Sequence, residues 1–346
     1  MKRRVAAIDC GTNSIRLLIA DLDTVPSNET APSNDTAPSR LTDITRQMKI
    51  VRLGEGVDRT GRLSPAALDR TISALREYAG LIRELSADAV RMVATSATRD
   101  AENSREFTSR VKEVLGVVPE VVTGQEEATL SFTGATRELG GRNGAGAVPP
   151  YLVADIGGGS TELVLGDAGQ VMAACSVDIG CVRMTERHLH GDPPTAQEVA
   201  AATADIDAAL ALAADTIAAA TIAGKTIAAE TIERGAGRVS SARTLVGLAG
   251  SVTTVAGIAL GLAEYDSARI HHSRVSVGQV DAIAGELLRQ TRAERAAIGV
   301  MHPGRVDVIG AGALILARIM ARFGFVEVLV SEHDILDGIA WSLGDR

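Results

Sequence analysis

The segment Asp9-Cys10-Gly11-Thr12-Asn13-Ser14 follows directly on an apolar run and offers consecutive backbone N–H groups beside hydroxyl and amide side chains. Such a turn can hold phosphate oxygens without a cationic pocket. Taken alone, a plain hairpin turn with one glycine reads the same way. The segment Asp155-Ile156-Gly157-Gly158-Gly159-Ser160-Thr161-Glu162 says more, because three glycines let the backbone close on a phosphate while two carboxylates bracket the turn. Glycine triplets also occur in linkers, but buried-strand patterns flank this one on both sides. Asp155 and Glu162 are hard oxygen donors suited to Mg²⁺ held partly through water and substrate phosphates; Asp9 joins them as a third candidate, and Mn²⁺ is an acceptable substitute ion. Gly247-Leu248-Ala249-Gly250-Ser251-Val252-Thr253-Thr254 is a third small-residue turn, where Gly250 and Ser251 suit a phosphate or a nucleotide edge. A helix N-cap by Ser251 with no ligand explains those residues equally well. His333-Asp334 suggests a metal-phosphohydrolase dyad, but no companion ligands stand at workable spacing, and the segment reads as structural.

These turns need rigid elements to hold them. Val5 to Ile8 and Ile15 to Asp23 read as buried strands of a hairpin around the first turn, and Tyr151 to Ile156 with Glu162 to Gly166 repeat that plan around the second. The echo predicts two related lobes. Ser64-Pro65 opens a helix whose apolar positions run through Leu68, Ile72, Leu75, Ala79, Ile82 and Leu85. Val90 to Thr95 and Glu120 to Thr123 are short strands with a helix between them. Arg243 to Leu248 is a strand feeding a helix over 252–262. Helices over 278–290 and 303–322, a strand over 326–330 and a final helix over 335–343 follow. Residues 195–235 are Ala-rich and predict a long helix or helix pair without chemical role. The stretch 24–40 has no apolar periodicity and predicts a solvated loop away from ligand.

Composition narrows the function classes. With 46% hydrophobic and 23% charged residues over 346 positions, the chain is globular and long enough for about two domains. Aromatic residues are 2%, which leaves no stacking platform for single-stranded nucleic acid. A net charge of −8 disfavours nucleic acid and anionic membranes, and favours a compact anionic substrate held by local geometry. No apolar run approaches the roughly 18 residues of a spanning helix. A basic start, Lys2-Arg3-Arg4, is followed by an apolar stretch broken at Asp9, too short for a secretion signal, so a cytoplasmic location is expected. The three cysteines, Cys10, Cys175 and Cys181, fit no zinc or disulfide pattern and read as reduced thiols, although oxidation of Cys10 within the first turn would inhibit.

Two phosphate hairpins and a later glycine-rich turn in this order resemble the sugar kinase, actin and heat-shock chaperone superfamily. Ala94-Thr95-Ser96-Ala97-Thr98-Arg99, Thr123-Gly124-Gln125-Glu126-Glu127-Ala128 and Asp178-Ile179-Gly180 narrow the match. With them, the chain resembles the exopolyphosphatase and guanosine pentaphosphate phosphohydrolase family over essentially its whole length, in a short form without the helical domains of longer members. The resemblance implies an α/β fold of two actin-like, ribonuclease-H-like lobes with an interlobe cleft. The first lobe would span 1–133 with the C-terminal helices from about 320 to 346 returning to it, and the second 134–319. It also implies a homodimer. Glu127 matches the family's catalytic base, with Glu126 beside it as the alternative; like-charge crowding would raise one carboxylate's pKa. Without the family such a pair reads as a solvated first helical turn. Arg99 matches the phosphate-neutralising arginine, and Arg16 could act likewise, each with surface ion pairing as the plain alternative. The expected reaction is Mg²⁺-assisted in-line hydrolysis of the terminal phosphoanhydride of short polyphosphate. Hydrolysis of guanosine pentaphosphate, a related kinase and a non-catalytic polyphosphate or alarmone sensor remain as alternatives.

Overall fold

The structure is a computed structural model and describes residues 2–23, 40–139, 146–167, 170–224 and 241–344. The expected 24–40 loop, Arg40 apart, and the Ala-rich segment beyond residue 224 lie outside the described residues. The chain folds as two units: one runs up to Val122 and resumes at Ile335, the other spans Thr123–Asp334.

In the first unit, β1 (Lys2–Cys10), β2 (Ser14–Asp23), β3 (Arg40–Ile50), β4 (Ala89–Ala94) and β5 (Glu120–Val121) form one sheet in the order β3-β2-β1-β4-β5. β1 and β2 are antiparallel, with Cys10 opposite Ile15. β4 and β5 continue parallel to β1. Alternate residues Ala6, Ile8, Ile15, Leu17 and Ile19 pack beneath the helices Pro65–Glu84 and Ser104–Leu115. Val5, Ala7, Leu18 and Leu22 are buried too, because the last helix, Ile335–Ser342, packs on β1 and β2. Burial on both faces is why these strands read as continuous apolar runs rather than alternating ones. The first long helix starts as its sequence dictates: Ser64 Oγ accepts the Ala67 N–H, and Pro65 occupies the first helical position.

The second unit repeats the plan. Its strands are β6 (Tyr151–Ile156), β7 (Thr161–Asp167), β8 (Gln170–Val177), β9 (Thr244–Leu248), β10 (Arg274–Ser276) and β11 (Glu327–Val330), in the order β10-β11-β9-β6-β7-β8. β6, β7 and β8 form an antiparallel meander, and β9 and β11 extend the sheet parallel to β6. Read outward from β1 and β6, the two sheets therefore share one topology, with β10 added in the second. One face of the second sheet packs its apolar residues, Leu152, Ala154, Leu163 and Leu245 among them, with the helices Ala196–Gly224, Ala249–Ala259 and Ile309–Phe323. The opposite face takes the helix Gly124–Thr136, whose Ala128, Phe132 and Ala135 cover Tyr151, Val153, Val164 and Val246. A Cβ at Gly166 would lie 2.4 Å from Phe132 Cζ, so the glycine makes room for that ring. No helix among the described residues is long and apolar enough to cross a membrane.

Candidate active site

The β1–β2 turn is closed by a hydrogen bond from Gly11 N–H to Ser14 O at 3.0 Å. Its carbonyls are taken by the following segment: Thr12 O accepts from Gly54 N–H, and Asn13 O accepts from Val51 and Arg52 N–H. The Thr12 and Asn13 amides have no acceptor among the described residues, which is the arrangement that binds an anion. Gly54 is required by proximity, since a Cβ there would fall 2.4 Å from Thr12 Cγ2. Thr12 Oγ1 lies 3.0 Å from Ser96 Oγ, joining the turn to the short helix Ser96–Arg99. At the end of that helix, Arg99 donates Nη1–H to Val122 O at 3.2 Å. Asp9 and Arg16, expected to act separately on metal and phosphate, are tied to each other: Arg16 donates Nε–H and Nη2–H to Asp9 Oδ2 at 2.9 and 2.6 Å across the strand pair.

The β6–β7 turn closes identically, Gly157 N–H to Ser160 O at 3.0 Å. Here the carbonyls of Gly157 and Gly158 accept the amides of Cys181, Val182 and Arg183 at the start of the helix Cys181–His188. The Gly158 and Gly159 amides have no acceptor among the described residues. Asp178-Ile179-Gly180 is the strut behind this turn. A Cβ on Gly180 would stand 2.2 Å from Gly158 O, and Thr161 spends its hydroxyl on Ile179 O at 2.5 Å rather than facing outward.

Three carboxylates gather on the same unit. Asp155 and Glu162 are directly opposed in the β6–β7 ladder and both buried. Asp155 Oδ2 accepts the Ser131 hydroxyl at 2.5 Å, and Glu162 Oε1 accepts the Ser176 hydroxyl at 2.7 Å. Ser131 sits one turn along the same helix face from Glu127, which is itself 7% exposed. The start of that helix abuts Ser176, since a Cβ on Gly124 would lie 2.5 Å from Ser176 Cβ. Glu126 closes a capping box instead: its Oε2 accepts the Thr123 N–H and hydroxyl, both at 2.9 Å, while Thr123 Oγ1 accepts the Glu126 N–H.

In the third turn the helix Ala249–Ala259 begins directly after β9, with Leu248 at the N-cap and no side-chain cap, so Ser251 is not the cap. Ser251 is buried within the first turn, against Gly312. Arg305, which the sequence reading missed, lies across Gly250; a Cβ there would be 2.4 Å from the guanidinium carbon, and Nη1 donates to Thr254 Oγ1 at 3.0 Å. The carboxyl ends of β6, β9 and β11 share one edge of the sheet, the edge at which open α/β sheets bind ligands.

A family model, the Ppx/GppA phosphatase family, matches residues 33–345. The chain belongs to that family. Among its Ppx/GppA relatives is exopolyphosphatase 2 of Mycobacterium tuberculosis, 48% identical over 98% of both chains. A bifunctional 3-dehydroquinate synthase/phosphatase of Fusobacterium nucleatum is 29% identical over 96% of this chain and 45% of its own length. Of solved structures, an exopolyphosphatase-like protein superposes with a TM-score of 0.85 at 41% identity, covering 99% of each chain. The Ppx/GppA enzyme of Aquifex aeolicus superposes with a TM-score of 0.74 at 29% identity, covering 99% of this chain and 100% of that one. The two-lobe α/β fold expected from the paired hairpins is thus a family fold. What the sequence hid inside it are the hydroxyls of Ser131 and Ser176 and the Arg305 guanidinium. Only Ser131 carried a signal, its four-residue spacing from Glu127; Arg305 is 55 residues from Gly250.

Proposed function

We propose that this chain is an exopolyphosphatase that releases orthophosphate from the terminal phosphoanhydride of inorganic polyphosphate by in-line attack of water. The observation that carries the proposal is the pair of amide cradles, Thr12–Asn13 and Gly158–Gly159, each closed by the same hydrogen bond, with buried carboxylates beside the second. The relative named exopolyphosphatase 2 supports the choice of substrate. Backbone amides bind phosphoryl oxygens at no side-chain entropy cost and stabilise charge that develops as the bond breaks. Glu127 is the base: unlike Glu126, it is not held by the capping box, and it shares a helix face with the serine bonded to Asp155. Asp155 and Glu162 fit Mg²⁺, each being a buried oxygen donor oriented by a serine hydroxyl, and the bound ion would neutralise phosphate charge. Ser131 and Ser176 hold those carboxylates in place. Arg99 neutralises a phosphoryl oxygen. With the negative net charge, short chains are the favoured substrates.

The test is phosphate release with Mg²⁺ from tripolyphosphate, long polyphosphate, guanosine pentaphosphate and ATP. Tripolyphosphate is expected to be cleaved fastest. Glu127→Gln should lose at least about a hundredfold in kcat, as for removal of a general base. Glu126→Gln should keep kcat and lose about 1 kcal/mol of stability through its cap. Faster release from guanosine pentaphosphate would reassign the substrate. Tight binding of these anions without release by the wild type would make the chain a sensor and remove Glu127 from its role.

A further inference from the structure

Among the described residues, the fold assembles one cluster of ligating side chains that the reaction above does not use. Glu138 follows the helix Gly124–Thr136, His271 precedes β10 and His333 follows β11, so their sequence positions give no hint of proximity. Yet one oxygen or nitrogen from each lies within 4.8 Å of the others. His333 Nδ1 and Glu138 Oε2 are 3.4 Å apart, close to the edge of a tetrahedron built on metal–ligand bonds of about 2.0–2.2 Å. The His271 and His333 rings approach to 4.6 Å between centroids. His271 Nδ1 accepts the Glu332 N–H at 3.1 Å, which marks that nitrogen as the one carrying the lone pair. The His333 and Glu138 side chains are 28% and 49% exposed, so their mutual attraction alone contributes little to stability.

We propose that Glu138, His271 and His333 form a binding site for a borderline divalent transition-metal ion of the Zn²⁺ class, separate from the Mg²⁺ carboxylates Asp155 and Glu162. Two imidazoles and a carboxylate are the donor set such an ion prefers, and Mg²⁺, which demands oxygen, is excluded by it. The ion takes one ring nitrogen from each of His271 and His333, and the half-exposed Glu138 closes the third corner. Three protein ligands leave a fourth position to water or an oxyanion. The site lies at the carboxyl-end edge of the sheet, with β11 two strands from β6 and so roughly 10 Å from it.

Co²⁺ titrated into the full chain is the probe, followed by visible absorption and by calorimetry. One saturable equivalent is expected, with the absorption of a four- or five-coordinate ion, no thiolate charge-transfer band, displacement by Zn²⁺ and none by Mg²⁺. His333→Ala and Glu138→Gln should each weaken binding at least about tenfold, while Asp155→Asn leaves it unchanged. Glu138 is exposed, so its variant keeps the fold, which circular dichroism checks. Absence of saturable binding overturns the proposal, as does binding that survives both variants or is lost instead in Asp155→Asn.

Discussion

Glu126 and Glu127 are adjacent, but a helix start separates their tasks. The first turn has amides with no helical partner, and Glu126 is the residue at the third position, where a carboxylate reaches back to the Thr123 N–H. Glu127 projects elsewhere and is buried near the Ser131–Asp155 pair. The motif Thr-x-x-Glu was legible in the sequence as a capping signal and would have divided the pair before any coordinates. Ser176 was not, since it reaches Glu162 through the β7–β8 register rather than through sequence spacing. The cysteines illustrate the same limit. Cys10 borders the first small-residue turn, which suggested sensitivity to oxidation, but its side chain is buried in the core. Burial, and then the Asp9 carboxylate beside it, push its thiol well above the usual range. Burial raises Cys181 as well. Since the thiolate is the reactive form, a disulfide reagent added to the native protein is expected to leave both unmodified and activity intact, with labelling appearing only on unfolding. Inactivation that tracks modification of Cys10 in the folded protein would show that the turn opens.

The elements that the sequence exposed are those buried on both faces. β1, β2, β6 and β9 read as apolar runs because helices cover each side. β3, β8 and the three-residue β10 were missed; β3 and β8 hold the same position, the outer strand of the antiparallel meander at the edge of each sheet. β3 is largely exposed or half-exposed along its length, and such polarity hides an edge strand in the sequence while protecting it from pairing with other chains. Packing between elements also explains why Asp178-Ile179-Gly180 matters. The start of the helix Cys181–His188 donates to the carbonyls of the glycine triplet, and only glycine at 180 allows that approach. Gly180→Ala should therefore displace the second cradle. Stability is expected to fall by about 1–3 kcal/mol from overpacking, and kcat/KM by about a hundredfold, because misplacement by around 1 Å is that costly to an aligned reaction. Gly278→Ala, in a helix with open space around it, serves as the control and should change neither. Equal activity in the two variants, measured at saturating Mg²⁺, would mean that the triplet does not bind phosphate.

Across the whole molecule, one strand plan is used twice, and the chain returns to its first unit only at Ile335. The paired hairpins announced the duplication; the return of the last helix came only from the resemblance to a family, since nothing local in its apolar sequence says which sheet it covers. Its docking has an electrostatic anchor. Arg46 on β3 donates Nη1–H and Nη2–H to the two oxygens of Asp337, at 3.1 and 2.5 Å, and Asp337 is 2% exposed. Arg3 donates to Leu343 O and Arg91 to Ser342 Oγ, fixing the end of the same helix. Removing Arg46 takes the bidentate partner from a buried carboxylate, so Arg46→Ala is expected to cost about 2–3 kcal/mol. The protein carries its own reporter for this event, because Trp341, the sole tryptophan in the sequence, lies within that helix and is buried. In a urea titration of Arg46→Ala, tryptophan emission should shift to longer wavelength at lower denaturant than in the wild type. Far-ultraviolet circular dichroism, dominated by the helices of the second unit, should follow later. A variant whose fluorescence midpoint matches the wild type would mean that apolar burial over Val5, Ala7, Leu18 and Leu22 holds the helix without help from the ion pair.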